Sequence, residues 1–141
     1  MNTVEELSSP MPLQDTGKIS VLVVDDETAV RSFAARVLER EGYAVFEAKD
    51  GVDALALIKQ AGMAIEVVVS DIVMPRLNGV ELMQALAMSN PELPVILMSG
   101  YATGALAELG IAAPCAILAK PFPSERLLEE VRRCVRPRKV V

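Results

Sequence analysis

The segment VLVVDDE, residues 21–27, is a run of four apolar residues cut off by two adjacent aspartates. Val21–Val24 shows no alternation of polar and apolar positions, the signature of a strand covered on both faces. VVVSD at 67–71 repeats the pattern, with Val67–Val69 running into Ser70 and Asp71. Strands buried on both sides belong to parallel sheets, whose neighbours must be joined by crossover connections. Five strand candidates follow from such runs: Ile19–Val24, Ala44–Ala48, Ile65–Ser70, Pro94–Met98 and Cys115–Ala119.

Stretches of helical period separate them. Val30, Phe33, Ala34, Val37 and Leu38 form one apolar face, and Gly42 ends that helix. Ala54, Leu57, Ile58 and Ala61 repeat the device, with Asp50 placed to cap and Gly62 to stop. A third helix is expected from Gly79 to Met88, before Asn90-Pro91. The last places Leu127, Val131, Cys134 and Val135 inside, leaves Arg126, Glu129, Glu130 and Arg133 outside, and closes at Pro137. Between strands four and five, Tyr101–Pro114 reads as a short, loosely held helix rich in alanine. The alternation predicts an α/β fold, a doubly wound five-stranded parallel sheet with helices on both faces. Residues 1–17 read as a flexible lead-in, 18–136 as the single domain and 137–141 as a tail.

Bulk properties narrow the chemistry. A chain of 141 residues that is 52% hydrophobic can bury one core, and a net charge of −5 opposes direct nucleic-acid binding. The sequence has no membrane-length apolar run, and Met1–Gln14 lacks the features of a secretory signal, so a cytoplasmic protein is expected. Cys115 and Cys134 are too few for a disulfide framework and read as two reduced packing thiols. There is no histidine, which removes Ser-His-Asp and Cys-His nucleophile systems and His-ligated zinc.

In open parallel sheets, sites form beyond the carboxyl ends of the strands. Those ends carry Asp25-Asp26, Asp71, Ser99 and Lys120: three carboxylates, a hydroxyl and an ammonium on one rim. Carboxylates held together need compensating positive charge, and Mg²⁺ suits a cluster without His or Cys. Lys120 and Ser99 can then contact a phosphate group, and Asp71, central in the set, is the natural nucleophile for an acyl phosphate. Singly, each residue has a plainer explanation: a helix cap for Asp25 or Asp26, surface charge for Lys120, loop for Ser99. Their joint occurrence at four strand ends is what points to a site.

VLVVDDE at 21–27, VVVSDIVMPRLNGVEL at 67–82, PVILMSGY at 94–101 and LAKPF at 118–122 together resemble response regulator receivers, from about Lys18 to Val135. The resemblance implies a (βα)5 flavodoxin-like fold with strand order 2-1-3-4-5. It also implies that Asp26 ligates Mg²⁺ directly and Asp25 largely through water, while Asp71 is both ligand and phosphoacceptor. The Val73 carbonyl completes the ligands, Ser99 moves toward the phosphate, Lys120 pairs with it, and the Lys120-Pro121 bond is cis. The implied phosphodonor is a histidine kinase or a histidine phosphotransfer protein. Receivers usually carry Tyr or Phe where this chain has Ile117, whereas SGY, with Tyr101 after Ser99, resembles receivers of hybrid kinases and stand-alone receivers.

With no DNA-binding segment after the last helix, output is expected through another protein, through a further part of a longer parent chain or through a second copy, with the 101–119 face as the contact to a protein partner. Three other readings compete. An aspartate-nucleophile phosphatase needs Asp-x-Asp after strand one, where this chain has adjacent acids. A flavodoxin-like cofactor binder needs a phosphate loop that is absent there. A pseudo-receiver, serving only as an interaction module, would be expected to have lost site residues, and all are present.

Overall fold

Val21 and Val23 of the first strand point into one apolar cluster and Leu22 and Val24 into another, so consecutive residues are buried on opposite faces. This is why the first run lacks polar alternation. The computed structural model describes residues 17–61, 64–100 and 113–135. Its elements are β1 (Ser20–Val24), α1 (Thr28–Arg40), β2 (Ala44–Ala48), α2 (Gly51–Ala61), β3 (Val67–Asp71), α3 (Gly79–Ser89), β4 (Val95–Ser99), β5 (Ala116–Ala119) and α4 (Ser124–Cys134). The five strands are parallel, in the order β2-β1-β3-β4-β5. The expected flavodoxin-like sheet is therefore the observed one. Every residue of β1, β3 and β4 is buried, while the edge strands β2 and β5 are partly open.

Leu127, Val131 and Cys134 of α4 and Ala34, Val37 and Leu38 of α1 cover one face of the sheet. Ala54 and Ile58 of α2 and Leu82, Met83 and Leu86 of α3 cover the other. Fully burying one leucine of these stripes, such as Leu127 or Leu82, contributes about 1.5–3 kcal/mol to holding its helix on the sheet. Gly42 ends α1 with φ 96°, and its N–H donates to the Glu39 carbonyl while that of Tyr43 donates to Leu38. That pair of bonds is a Schellman close, in which a left-handed residue is required. Asp50 caps α2 through a 2.9 Å bond from the Asp53 N–H. Asn78 and Glu81 form a reciprocal capping box at α3.

Several expectations need correction. Strands β3 and β4 extend through Asp71 and Ser99, which end the strands rather than follow them, because both continue the main-chain ladder. Phe33 is 43% exposed, with its ring 6.1 Å from that of Phe122, because α1 turns only Ala34, Val37 and Leu38 fully inward. Glu130 is buried rather than outside, its carboxylate lying between Arg126 at 3.0 Å and Arg133 at 2.8 Å. Cys115 and Cys134 are joined as a disulfide, their Cα atoms 6.0 Å apart. The apolar stripe of α4 brings Cys134 down onto the start of β5, a proximity that 19 residues of separation concealed. Residues 1–16 of the expected lead-in, residues 101–112 of the helix expected over Tyr101–Pro114, and the expected tail 137–141 lie outside the described residues. Among the described residues no helix is long and apolar enough to cross a membrane.

Candidate functional site

The register of the sheet assembles the rim. Val24 lies beside Ser70, Asp71 beside Met98, and Ser99 beside Ala119, so the ends of β1, β3, β4 and β5 finish nearly level. The Asp25 N–H extends the ladder to the Ala48 carbonyl, and the Lys120 N–H extends it to Ser99 at 2.8 Å. Each side chain at these positions starts from a fixed main chain.

Asp25, Asp26 and Asp71 offer carboxylate oxygens that all lie within 4.8 Å of one another. Asp25 is fully buried, Asp71 nearly so, and Asp26 is exposed. Asp25 Oδ1 accepts the Glu27 N–H at 2.8 Å, and Asp71 Oδ1 accepts the Ile72 N–H at 2.9 Å. Asp25 Oδ2 has no aligned donor, and its compensation is the Lys120 ammonium at 3.0 Å. The same ammonium lies 3.3 Å from Asp71 Oδ1 and 3.7 Å from Glu27 Oε1. Ser99 is buried at the end of β4, between the strands that carry Asp71 and Lys120. The Lys120-Pro121 bond is cis.

Burial raises the Asp71 pKa above the usual carboxylate value, and the neighbouring Asp25 charge adds to the effect, against the opposing pull of Lys120. Burial would lower the Lys120 pKa, but Asp25 and Asp71 outweigh it and hold the ammonium above its ordinary value. A buried carboxylate disfavoured in its charged form, with two further carboxylates within 4.8 Å, is a site that gains from a hard cation.

Five predicted residues are therefore brought together: Asp25, Asp26, Asp71, Ser99 and Lys120. Val73 lies two residues beyond Asp71, with its side chain 59% exposed. Sequence reasoning missed Glu27 and also Arg31, which donates to the Asp25 carbonyl at 2.7 Å and pairs with Glu47 at 3.0 Å. The one local signal is the i, i+4 spacing of Glu27 and Arg31, which does not reveal the partner on β2.

A five-stranded parallel sheet with an acidic cluster and one lysine at its carboxyl rim defines a class of α/β signalling module, and comparison with known proteins gives the family. The profile described as response regulator receiver domain matches residues 21–132. The sensor kinase CckA of Brucella abortus is 40% identical over 118 residues, 83% of this chain and 12% of the relative. The response regulator MprA of Mycobacterium sp. strain KMS is 38% identical over 119 residues, 84% of this chain and 51% of the relative. The chemotaxis protein CheY4 of Vibrio cholerae superposes with a TM-score of 0.76 at 30% identity, covering 84% of this chain and 99% of that one. The chain thus spans about half, or far less, of the curated relatives named. It belongs to the response regulator receiver domain family, the signalling modules of two-component systems. The phosphatase and flavodoxin-like cofactor readings give way to that membership.

Proposed function

We propose that this domain is a phosphoacceptor switch, taking a phosphoryl group onto Asp71 from a phosphohistidine of a histidine kinase or phosphotransfer protein. The observation that carries the reading is the placement of Asp71 between two other carboxylates and the Lys120 ammonium. A carboxylate oxygen of Asp71 forms the new O–P bond as the N–P bond of the donor breaks. The imidazole nitrogen leaves with the electron pair, to be protonated by solvent. Lys120 meets the charge arriving on the phosphoryl oxygens, and the Ser99 hydroxyl donates to one of them. The carboxylates of Asp25, Asp26 and Asp71, with the Val73 carbonyl, would hold Mg²⁺. When bound, Mg²⁺ offsets the clustered negative charge and stabilises the transferring group.

The domain, residues 18–136, catalyses only its own phosphorylation and dephosphorylation. It works in the cytoplasm and passes its state to an output protein or a second copy through the 101–119 face. Residues 101–112 of that face lie outside the described structure. Intact-mass spectrometry after acetyl phosphate with Mg²⁺ tests the reading. The expected result is one acid- and hydroxylamine-labile phosphoryl group, absent without Mg²⁺ and absent in Asp71→Asn. An adduct that persists in Asp71→Asn and maps to Ser99 would overturn it, and an inert wild type would favour the pseudo-receiver.

A further inference from the structure

Five residues past the acceptor, Arg76 holds its backbone at φ 69°, the left-handed region, although it carries a full side chain. Its guanidinium is anchored to a different element. Nε donates to Asp50 Oδ2 at 2.8 Å, and Nη2 donates to Asp50 Oδ1 at 3.1 Å and Asp53 Oδ1 at 2.9 Å. Asp50 is buried and its Oδ1 also caps α2, so the arginine grips the fixed first turn of that helix. The main chain repeats the join, with the Gly51 N–H donating to the Leu77 carbonyl at 3.0 Å. The contact is tight enough that a Cβ on Gly51 would meet that carbonyl oxygen at 2.6 Å.

At its other end the same loop is fastened to the acceptor. The Gly79 N–H donates to the Ile72 carbonyl at 2.9 Å, and a Cβ on Gly79 would collide with the Asp71 carbonyl. Residues 72–78 are thereby held at the base by Gly79 and at the apex by Arg76. Val73 lies within that span.

We propose that Arg76 is a positioning residue: by clamping the 72–78 loop to α2 through Asp50 and Asp53, it fixes the metal-binding geometry of Asp71 and Val73. The inference rests on the phosphoacceptor reading of the rim. The guanidinium of Arg76 is engaged with Asp50 and Asp53, outside the rim. Its action resembles that of the outer residues that orient metal ligands, whose loss typically weakens affinity by about 10–100-fold. Lysine cannot replace it fully, because a point charge does not span both Asp50 oxygens and Asp53 together.

The test is Mg²⁺ binding to the full chain by calorimetry, without phosphodonor, in the wild type and Arg76→Gly. Glycine adopts the positive φ freely, so this variant removes the clamp without straining the backbone. Loss of a nearby cation would by charge alone tighten Mg²⁺ binding, so the sign of the change separates the two effects. The expected result is Mg²⁺ binding weaker by about tenfold or more, faster amide exchange over 72–78, and partial recovery in Arg76→Lys. Unchanged or tighter Mg²⁺ binding in a folded Arg76→Gly overturns the proposal. Should that variant fail to fold, Arg76→Asn, which also tolerates the left-handed region, makes the same comparison. The two readings fail separately: an unchanged mass for the wild type with acetyl phosphate overturns the phosphoacceptor assignment, whereas equal Mg²⁺ constants overturn the clamp.

Discussion

Lys120 and Asp71 form an ion pair that reaches over an intervening strand: Nζ and Oδ1 lie 3.3 Å apart, one at the end of β5 and the other on β3, with β4 between them. Their separation is set by the sheet and not by a shared loop. In Lys120→Ala the carboxylates of Asp25, Asp26 and Asp71 remain, but the positive charge proposed to receive phosphoryl oxygens is gone. Phosphoryl uptake from acetyl phosphate is expected to slow on the order of 10²-fold, while calorimetric Mg²⁺ affinity is retained or, with the competing ammonium gone, tightened. A loss of Mg²⁺ affinity as large as the loss of rate would contradict the role given to Lys120.

The raised pKa of Asp71 makes a prediction about stability. A carboxyl whose folded pKa lies above its unfolded value binds its proton more tightly in the fold, so its ionised form costs stability at neutral pH. That cost disappears as the pH falls through the folded pKa toward the ordinary 3.8. Metal-free Asp71→Asn should therefore melt higher than the wild type at pH 7, with the gap closing in acid. Adding Mg²⁺ should stabilise the wild type more than the variant. Paired melting curves across pH check both signs. Asp50, held below the usual carboxylate range by hydrogen bonds from Arg76, weakens both proteins alike in acid and cancels in the comparison.

Gly79→Ala places a methyl group against the main chain of Asp71, where backbone cannot give way as a flexible side chain could. We expect destabilisation of about 1–3 kcal/mol by urea unfolding, with Mg²⁺ affinity reduced in the folded fraction. Gly100→Ala, whose added Cβ would meet nothing within 4 Å among the described residues, is the control.

By resemblance to other receivers, Val73 and Tyr101, two residues after the proposed acceptor Asp71 and two after Ser99, would occupy the positions from which a hydrolytic water is oriented. Tyr101 lies outside the described residues, but Val73 is exposed and carries no polar group. A long-lived aspartyl phosphate is expected, and Val73→Glu, which supplies an oxygen to orient water, should shorten its lifetime several-fold. Equal lifetimes by phosphate-release assay would remove Val73 from this role.

Closing a loop of about 20 residues, the Cys115–Cys134 bond should contribute about 3 kcal/mol through the unfolded state. Reduction, or Cys134→Ala, should lower the urea midpoint accordingly and leave the rim's Mg²⁺ affinity unchanged, since the disulfide lies at the opposite end of β5 from Lys120. Disulfides are uncommon in a reducing cytoplasm, so a free-thiol count on rapidly quenched cells would establish which form the working protein carries.

The sheet was legible because Val21–Val24 and Val67–Val69 are short, rich in β-branched residues and apolar without alternation, which together mark strands covered on both faces. The rim was legible for a related reason: polar residues that stop such runs must emerge at the same edge of a parallel sheet. What escaped were contacts between positions unrelated by period. Nothing in the spacing of Arg76 and Asp50 links them, and the burial of Glu130 depends on two arginines on its own helix turning to meet it. Cys115 and Cys134 each read correctly as apolar positions, but which apolar neighbours touch is decided by how α4 lies on β5. Phe33 fits the periodic face of α1, yet lies at its margin, where the sheet no longer covers it.

The acids of the rim come from β1 and β3, whereas the cation comes from the end of the last strand, 95 residues after Asp25. During synthesis, a nascent chain that has emerged only through β4 already carries Asp25, Asp26 and Asp71 but not the Lys120 ammonium that pairs with Asp25 and Asp71. It can neither complete the pocket nor cover that edge of the sheet. On the proposed phosphoacceptor reading, the pocket is therefore completed late, when β5 brings Lys120 to the rim.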